Sequence, residues 1–351
     1  MDPPALASAI KAQADALGFD DCRIAAAARA PHADAFAAWL ADGCHGEMAW
    51  MARDPDRRSD PREVLAGCHS VIMLAVNYFP GEPLPPPTPG MRRGRIARYA
   101  WNEDYHDLIL PKLKEFDARL GALGGTQRYY TDTGPVLERD FAAAAGLGWN
   151  GKSTVQIHRK LGTWFFLATV LTTLEAAADA PSPDHCGKCT RCITACPTGA
   201  ITRPHHVDAR LCVSYLTIEH KGDIPVELRP LLGDRIYGCD DCLAACPWNR
   251  FAVVAREAAY HARAEIFTRD ARDFLAMDDE SFRVIFRRSP IKRIKRARFL
   301  RNVCVALGNT GDRDDLPALE AAAADPDPLI AGHAAWAIGE ITRRAGTAAN
   351  R

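Results

Sequence analysis

The stretch that decides how the middle of this chain folds runs Cys186-Gly187-Lys188-Cys189-Thr190-Arg191-Cys192-Ile193-Thr194-Ala195-Cys196-Pro197. Its cysteines follow the spacing Cys-x2-Cys-x2-Cys-x3-Cys-Pro, which winds a short loop around one cubane of iron and sulfide. Where a protein holds two such cubanes, the first three thiolates bind one cluster and the fourth reaches across to the other. The spacing therefore predicts one [4Fe–4S] cluster in this loop and a second one beside it.

A second run, Cys239-x2-Cys242-x3-Cys246-Pro247, repeats the end of the first run but has Ile236 where the leading cysteine would stand. Cys212 lies between the two runs and is the nearby cysteine that can complete the set. The eight thiolates then divide without remainder into two groups of four. The first cluster takes Cys186, Cys189, Cys192 and Cys246, and the second takes Cys196, Cys212, Cys239 and Cys242.

Structural zinc is the alternative, since zinc also binds paired Cys-x2-Cys motifs. Zinc explains neither the Cys-x3-Cys-Pro ending of both runs nor the reciprocal closure of the two sets, so iron–sulfur clusters are favoured. The remaining cysteines are scattered, and a lone cysteine usually packs as a small apolar residue. We assign no role to Cys22, Cys44, Cys68 and Cys304.

The composition restricts the remaining possibilities. The 351 residues include 44 basic and 44 acidic side chains, so nucleic acid would have to bind at a local patch. The opening Met1-Asp2-Pro3-Pro4 has no signal-peptide features, and the most apolar stretch, 161–174, is too short to span a bilayer. We expect a cytoplasmic protein without membrane contact, where cysteines bind metal rather than form disulfides. No coiled-coil seam is visible, so we expect a monomer.

The segment before the cysteines mixes helices and strands. Residues 1–30 predict an alanine-rich helix, a turn at Gly18 and a short strand, and the apolar run 70–76 predicts a buried strand. The segment 176–184 reads as a linker. The other predicted elements are helices at 107–120 and 138–145, a strand at 128–132 and a β-rich stretch at 162–171.

Everything after about residue 270 reads as helical. There Ala306-Leu307-Gly308-Asn309 recurs as Ala337-Ile338-Gly339-Glu340, a period typical of paired helices, which favours a short HEAT-like repeat over coincidence. The predicted fold class is α+β. Its three predicted domains are a mixed α/β domain at 1–178, an iron–sulfur domain at 179–260 and a helical domain at 261–351.

Two polar motifs precede the cysteines. In Thr131-Asp132-Thr133-Gly134-Pro135-Val136-Leu137-Glu138-Arg139, a carboxylate at a strand end can act as an acid or merely cap a turn. The second motif, 146–154, ends in Gly-Lys-Ser-Thr and matches a phosphate-binding loop in spacing. It follows a helix rather than a strand, so ATP binding is not favoured, although its backbone could bind another polar ligand.

These two motifs, followed by the cysteine runs, closely resemble those of the epoxyqueuosine reductases. The resemblance covers almost the whole chain and includes the segments 212–220 and 238–242. It implies a cobalamin-dependent iron–sulfur enzyme that reduces the epoxide of epoxyqueuosine to queuosine at the wobble position of tRNA. The implied folds are a nitroreductase-like cobalamin domain and a bacterial-type two-cluster ferredoxin domain. The cobalamin signature Asp-x-His-x-x-Gly is absent, since Asp104-Tyr105-His106 is followed by Ile109 at the glycine position.

The resemblance also implies roles for individual residues. Asp132 matches the proton donor, which would protonate the oxygen released as the epoxide opens, and burial beside cobalamin would raise its pKa. The clusters would receive electrons from a donor that the sequence does not identify. The residues expected to line cobalamin are Arg58, Tyr99, Asp132, Lys152, Gln156, Ser214, Asp240 and Asp241.

The stretch from Arg283 to Arg301 carries nine basic residues and no acidic one, expected on a helix just before the repeat. An ordinary solvated helix face normally mixes signs, so this patch favours a phosphate backbone as its partner. That partner would be the anticodon stem-loop of a tRNA bearing epoxyqueuosine. The predicted tRNA contacts are Lys221, Lys292, Arg293, Lys295, Arg296, Arg298 and Arg301.

Two other functions share some of these features. A reductive dehalogenase uses cobalamin and the same cluster pair on small organohalides, but the basic patch has no purpose there. A ferredoxin-like electron carrier needs neither the long first domain nor the basic patch, and it binds no cobalamin.

Overall fold

The computed structural model describes residues 1–349 except 82, 83 and 85, so the end of the predicted helical domain, 350–351, lies outside the described residues. The strands are β1 (Asp21–Ala26), β2 (Ser70–Asn77), β3 (Arg95–Ile96), β4 (Gln127–Tyr130), β5 (Trp149–Asn150), β6 (Gln156–Ile157), β7 (Phe165–Thr172) and β8 (Arg235–Tyr237). The first eight helices are α1 (Pro3–Ala16), α2 (Ala33–Ala41), α3 (Pro55–Ser59), α4 (Tyr105–Gly121), α5 (Glu138–Ala144), α6 (Arg191–Ala195), α7 (Val213–Ile218) and α8 (Asp241–Ala244). The C-terminal ones are α9 (Ala264–Phe267), α10 (Ala271–Leu275), α11 (Asp279–Ile285), α12 (Lys295–Thr310), α13 (Leu316–Ala323) and α14 (Pro328–Ala349).

A four-stranded antiparallel sheet organises the first part, in the order β1-β2-β7-β4. The central strand β2 is buried along its whole length, as its unbroken apolar run predicts. Its alternate side chains face opposite ways. Ile72 and Leu74 pack in the core that includes α1 and α4, whereas Val71 and Met73 pack in the core that includes α5. The helices and strands predicted before residue 172 are confirmed, with ends displaced by a few residues.

The cysteine-rich part has little regular structure because its chain follows the two cysteine runs. Helices α6 and α8 each lie inside one run and pack against each other. Strand β8 pairs in parallel with β3, with Arg95 opposite Arg235, and this joins the cysteine-rich part to the first part. Residues 173–190 form no helix or strand, as expected of a linker.

The C-terminal part is helical, as predicted. The two copies of the short repeat lie in α12 and α14, which pack together. A Cβ on Gly308 would come within 2.9 Å of the Ala337 backbone, so a glycine allows this close approach. The HEAT-like repeat and the nitroreductase-like architecture stay predictions, as do the domain borders. The C-terminal apolar core also takes in Ile96 and Ile236, which lie outside that part.

The basic stretch 283–301 does not form one helix, contrary to the prediction. It runs from α11 through a loop and a 3-10 helix, Pro290–Ile294, into the start of α12. None of the helices in the described ranges is long and apolar enough to cross a bilayer.

Candidate active site and cysteine centres

Asp132 lies in the turn after β4 and adopts a left-handed backbone conformation, with a φ of +63°. A non-glycine residue pays for this conformation in strain, and such strain is concentrated at functional sites. The Tyr105 hydroxyl on α4 donates a 2.7 Å hydrogen bond to Asp132 Oδ2. Asp132 is exposed to solvent. The hydrogen bond from Tyr105 fixes the position of its carboxylate.

Glu138, the first residue of α5, is the second carboxyl of this site. Its Oε1 accepts the Asp132 N–H at 3.4 Å and the Thr169 hydroxyl at 3.2 Å. Burial, and next the charge of Asp132, raise the pKa of Glu138 to about 8. Glu138 therefore stays protonated at neutral pH.

Aromatic rings form a wall beside Asp132. Tyr105 stacks on Phe166 with ring centroids 4.4 Å apart, and Phe166 lies 4.5 Å from Tyr78. Tyr99 meets Tyr105 edge-on at 6.2 Å. These rings place an apolar aromatic cluster next to a carboxylate, which suits a large ring system.

Cationic side chains border the same site. Arg58 is half-buried, donates to the Gly134 carbonyl and lies over the Trp50 ring. Arg293 pairs with Asp104 at 2.9 Å and lies over Tyr105. Arg58 Nε, Arg98 Nε and His106 Nε2 are among the buried polar atoms that have no partner in the described part of the chain. Buried polar atoms rarely stay unpaired, so these positions fit a polar ligand that reaches into the site.

The structure brings the first four predicted cysteines together. Cys186, Cys189, Cys192 and Cys246 line one cavity, with Lys152, His185 and Trp248 among the other residues of its wall. Burial, together with the smaller effect of the three neighbouring thiols, raises the pKa of Cys246 to about 11. Four thiols around one cavity form a donor set suited to a cubane.

The other four cysteines also come together. Burial raises the pKa of Cys239 to about 12, and it raises that of Cys242. The nearby thiols act in the same direction on Cys242, in the order Cys212, Cys239 and Cys196. Such an assembly of buried thiols would be unfavourable as thiolates without a metal centre to neutralise them.

Backbone donors are directed at these sulfurs, and each lowers the pKa of the thiol that it contacts. The N–H groups of Ser214 and Tyr215 contact Cys212, and the Asp241 N–H contacts Cys239. In the first group, the Lys152 N–H contacts Cys186. Hydrogen bonds to cluster sulfurs tune the reduction potential, so the surroundings of both groups fit iron–sulfur clusters.

A short chain of contacts joins the second cysteine group to Asp132. Asp240 follows Cys239 and accepts the Arg98 N–H at 2.7 Å, and burial raises the pKa of Asp240 to about 6. Tyr99 follows Arg98 and contacts Tyr105, which holds Asp132. The aromatic wall thus connects Asp132 with the second cysteine group (Cys196, Cys212, Cys239 and Cys242), called the inner group below; the first group is called the outer group.

The other residues predicted to line cobalamin have partners within the protein, and their role toward cobalamin stays a prediction. The Lys152 ammonium binds the carbonyls of Gly187 and Cys189 in the first cluster loop. Asp241 pairs with Arg235 and Arg95. Gln156 is buried, with its amide directed at Asn150 and the Arg139 carbonyl. These contacts occupy the side chains within the protein, and Ser214 presents its N–H to Cys212.

Sequence reasoning missed Tyr105 and Glu138. Tyr105 stands in the incomplete cobalamin signature, and Glu138 ends the motif that contains Asp132, so both positions carried a signal. Glu219 was missed as well: burial raises its pKa, and the charge of Asp132 contributes.

One predicted tRNA contact is wrong. Arg301 is fully buried, and its guanidinium donates to the carbonyls of Leu216, His220 and Gly222. Arg296 is mostly buried against Asp325, at 2.6 Å. The predicted tRNA contacts Lys221, Lys292, Arg293 and Lys295 are exposed, and Arg298 is half-buried with a hydrogen bond to the Ile218 carbonyl.

A carboxylate acid, a cation-bordered apolar wall and two four-thiol centres define a redox enzyme with iron–sulfur clusters. Residues 58–133 match the family model described as "Epoxyqueuosine reductase QueG, DUF1730", and residues 185–249 match "4Fe-4S double cluster binding domain". The chain is 40% identical to the epoxyqueuosine reductase of Escherichia coli K12 over 348 residues, 98% of this chain and 92% of that one. It is also 40% identical to that of Xanthomonas campestris over 344 residues, 97% of each chain.

Solved structures agree with this relationship. A crystal structure of epoxyqueuosine reductase with an epoxyqueuosine-modified tRNA-Tyr stem loop superposes with a TM-score of 0.90 at 30% identity, covering 96% of this chain and 90% of that chain. A Bacillus subtilis epoxyqueuosine reductase, with its catalytic aspartate loop swung out of the active site, gives a TM-score of 0.88 at 30% identity, with the same coverage. The chain belongs to the epoxyqueuosine reductase family.

The raised pKa of Glu138 predicts a pH-dependent stability. Folding raises this pKa from 4.5 to about 8, so the folded state keeps a proton that the unfolded state has lost between those values. The free energy of unfolding therefore falls as pH rises through this window. We expect the melting temperature of the wild type, relative to Glu138→Gln, to fall steadily from pH 5 to pH 9 in anaerobic melts. Glu115→Gln, an exposed control on α4, should show a constant difference, and a constant difference for Glu138→Gln would contradict the assignment.

Proposed function

We propose that this protein reduces the epoxide of epoxyqueuosine to queuosine in tRNA. The observation that carries the proposal is the continuous set of contacts from the inner cysteine group through the aromatic wall to Asp132. The inner cysteine group, as the source of electrons, and Asp132, as the source of a proton, would then serve one binding site. Removing one oxygen from an epoxide consumes two electrons and two protons and gives an alkene and water, so both are needed. Family membership and the relative with the modified stem loop support the same reaction.

The cofactor proposed for this site is cobalamin. The unpaired buried atoms Arg58 Nε and Arg98 Nε, together with the apolar wall at Tyr99, fit a large ring with polar substituents. Arg58, Tyr99, Asp132 and Asp240 would hold it. When bound, cobalamin supplies a low-potential cobalt centre that passes electrons to the substrate.

Asp132 is proposed to donate the proton to the epoxide oxygen. A positioned acid typically accelerates such a step by about 10²–10⁴-fold. Tyr105 orients the carboxyl through its 2.7 Å hydrogen bond, and Glu138 holds the backbone of the same turn. Because Glu138 is protonated at neutral pH, it adds no second negative charge beside Asp132.

The eight cysteines are proposed as cluster ligands in the two groups that the spacing predicts. The first group lines a cavity at the linker and the second lies beside Asp240. Electrons would therefore enter at the first cluster and leave from the second. Thiolate ligands of this kind require a reducing compartment, so we place the reaction in the cytoplasm.

The tRNA is proposed to bind the exposed basic residues of the stretch 283–295 and Lys221. Six of the nine cations in the stretch are exposed, which leaves a local positive surface on a chain without net charge. Arg293 links this surface to the site, because it pairs with Asp104 and lies over Tyr105. A phosphate backbone bound there would present its modified base near Asp132. The exposed members are Arg283, Arg287, Arg288, Lys292, Arg293 and Lys295.

The first test of the function uses Asp132→Asn. The protein is reconstituted anaerobically with iron, sulfide and cobalamin, reduced, and given tRNA that carries epoxyqueuosine. Mass spectrometry of the digested nucleosides should show the loss of one oxygen by the wild type and a rate at least about 10²-fold lower for the variant. Asp107→Asn, an exposed carboxylate change on α4, serves as the control and should turn over normally. A fully loaded wild type that removes no oxygen would sink the proposed reaction.

Cys212 provides a test of the cluster assignment, because it is the ligand that the spacing alone does not supply. Cys212→Ser should retain the first cluster and lose or weaken the second, so bound iron should fall from about eight to about four atoms per chain. Iron analysis and electron paramagnetic resonance measure this. Cys22→Ala, a buried cysteine of β1, should keep all the iron. Full iron content in Cys212→Ser would remove this residue from the ligand set.

The tRNA surface is tested by salt-dependent binding of an anticodon stem-loop. Replacing both Lys292 and Lys295 by alanine should lower the affinity and reduce the slope of log affinity against log salt by about two. Lys114→Ala, an exposed lysine of α4, should leave both unchanged. Arg301→Ala should instead lower the melting temperature, because several buried carbonyls lose their donor. An unchanged slope in the double variant would place the tRNA elsewhere.

A further inference from the structure

The two cysteine groups differ in what surrounds them. The inner group is joined through Asp240 to the aromatic wall of the site. The outer group lines a cavity whose wall also includes His185 and Trp248, both partly exposed. If electrons leave by the inner cluster, as the proposed function requires, they enter through the surface around the outer one. An electron donor has to approach that surface, since electron transfer needs short distances.

The surface around the outer group is strongly basic. Arg159 donates to His185 Nε2 at 2.6 Å, which places its guanidinium at the cavity wall. Lys188 and Arg191 lie within the first cysteine run, and Arg250 follows the second run closely. The neighbouring acid Asp184 accepts the Cys186 N–H. The exposed basic residues of this surface are Arg159, Lys160, Lys188, Arg191 and Arg250.

The same surface also carries exposed apolar side chains. Phe251 lies 5.5 Å from Trp248 between ring centroids and has the Arg250 guanidinium over its ring. Phe251 is 42% exposed, and Val253 and Val254 are 55% and 54% exposed. Exposed large apolar side chains that lie close together in the chain, among basic residues, are typical of a protein-binding site. Exposed aliphatic residues are of little use to a phosphate backbone, so RNA is the less suitable partner.

We propose that these residues form a docking surface for a small acidic protein that carries single electrons at low potential. We call it the donor face: Arg159, Lys160, Lys188, Arg191, Arg250, Phe251, Val253 and Val254. Opposite charges would steer the carrier, and the short apolar strip would hold it briefly over the outer cluster. Each encounter oxidises the carrier by one electron and reduces a cluster by one, so two encounters supply the two electrons that removal of the epoxide oxygen consumes. The inference rests on the proposed function for the direction of electron flow.

The test measures how fast the clusters of the holoenzyme are reduced in an anaerobic stopped-flow experiment. Two reductants are compared: the hydroquinone of an acidic flavodoxin, and reduced methyl viologen, a small cation that needs no docking. The donor-face variant is Arg159→Glu with Arg250→Glu, and Lys160→Glu is a second variant farther from the cluster ligands. The matched control reverses two exposed charges elsewhere, Lys114→Glu with Arg128→Glu. Iron content is required to equal that of the wild type before variants are compared.

We expect the donor-face variant to lower the flavodoxin rate constant at least tenfold at low salt and to flatten its salt dependence, with Lys160→Glu showing a smaller loss. The methyl viologen rate should not fall, and the control variant should resemble the wild type. A flavodoxin rate within twofold of the wild type would overturn the proposal. So would a variant that keeps this rate but loses tRNA stem-loop binding, since the face would then belong to RNA. Turnover with methyl viologen tests the proposed reaction separately, because it bypasses the docking step.

Discussion

The rest of the structure depends on one constraint: the last cysteine of each run belongs to the ligand group that the other run mainly forms. Cys196 ends the first run but lies with the second group, and Cys246 ends the second run but lies with the first. Neither centre can therefore close until both runs are folded against each other, with α6 packed on α8. Cys212 has to arrive as well, so the segment between the runs is fixed by the same requirement. The cysteine-rich part holds its shape through these shared ligands rather than through extended secondary structure.

The first part of the chain serves this centre by presenting a rigid wall. The buried sheet fixes β4 and β7: Asp132 follows the end of β4, while β7 contributes Phe166 on one face of the sheet and Thr169 on the other. Helix α4 adds Tyr105 from across the site. The turn that carries the acid is anchored by two hydrogen bonds, which give the carboxyl a defined position. In the Bacillus subtilis relative the catalytic aspartate loop is swung out of the active site.

The features that could be predicted were those whose signal lies within short stretches of the sequence. The cysteine groups follow from spacing, because most of the ligands stand in two short runs, and the buried strand at 70–76 follows from its apolar run. The role of Asp132 was inferred from the resemblance of its motif and stays a prediction. The raised pKa of Glu138 could not be predicted, because its largest cause is burial, which only the folded structure supplies. Arg301 looked like part of a basic patch, yet the direction of its side chain depends on carbonyls that only the folded structure supplies.

Arg301 and its neighbour Asn302 bind backbone carbonyls of the cysteine-rich part, among them those of Leu216, Thr217 and Ile236. Without α12 these buried carbonyls would lose their donors, each at a cost of about 1–3 kcal/mol. The helices that carry the proposed RNA surface are thus also internal supports of the redox centre. In evolutionary terms, a lineage of this protein could not discard the C-terminal helices and keep a working electron-transfer half, so recognition of RNA and redox chemistry would be inherited or lost together.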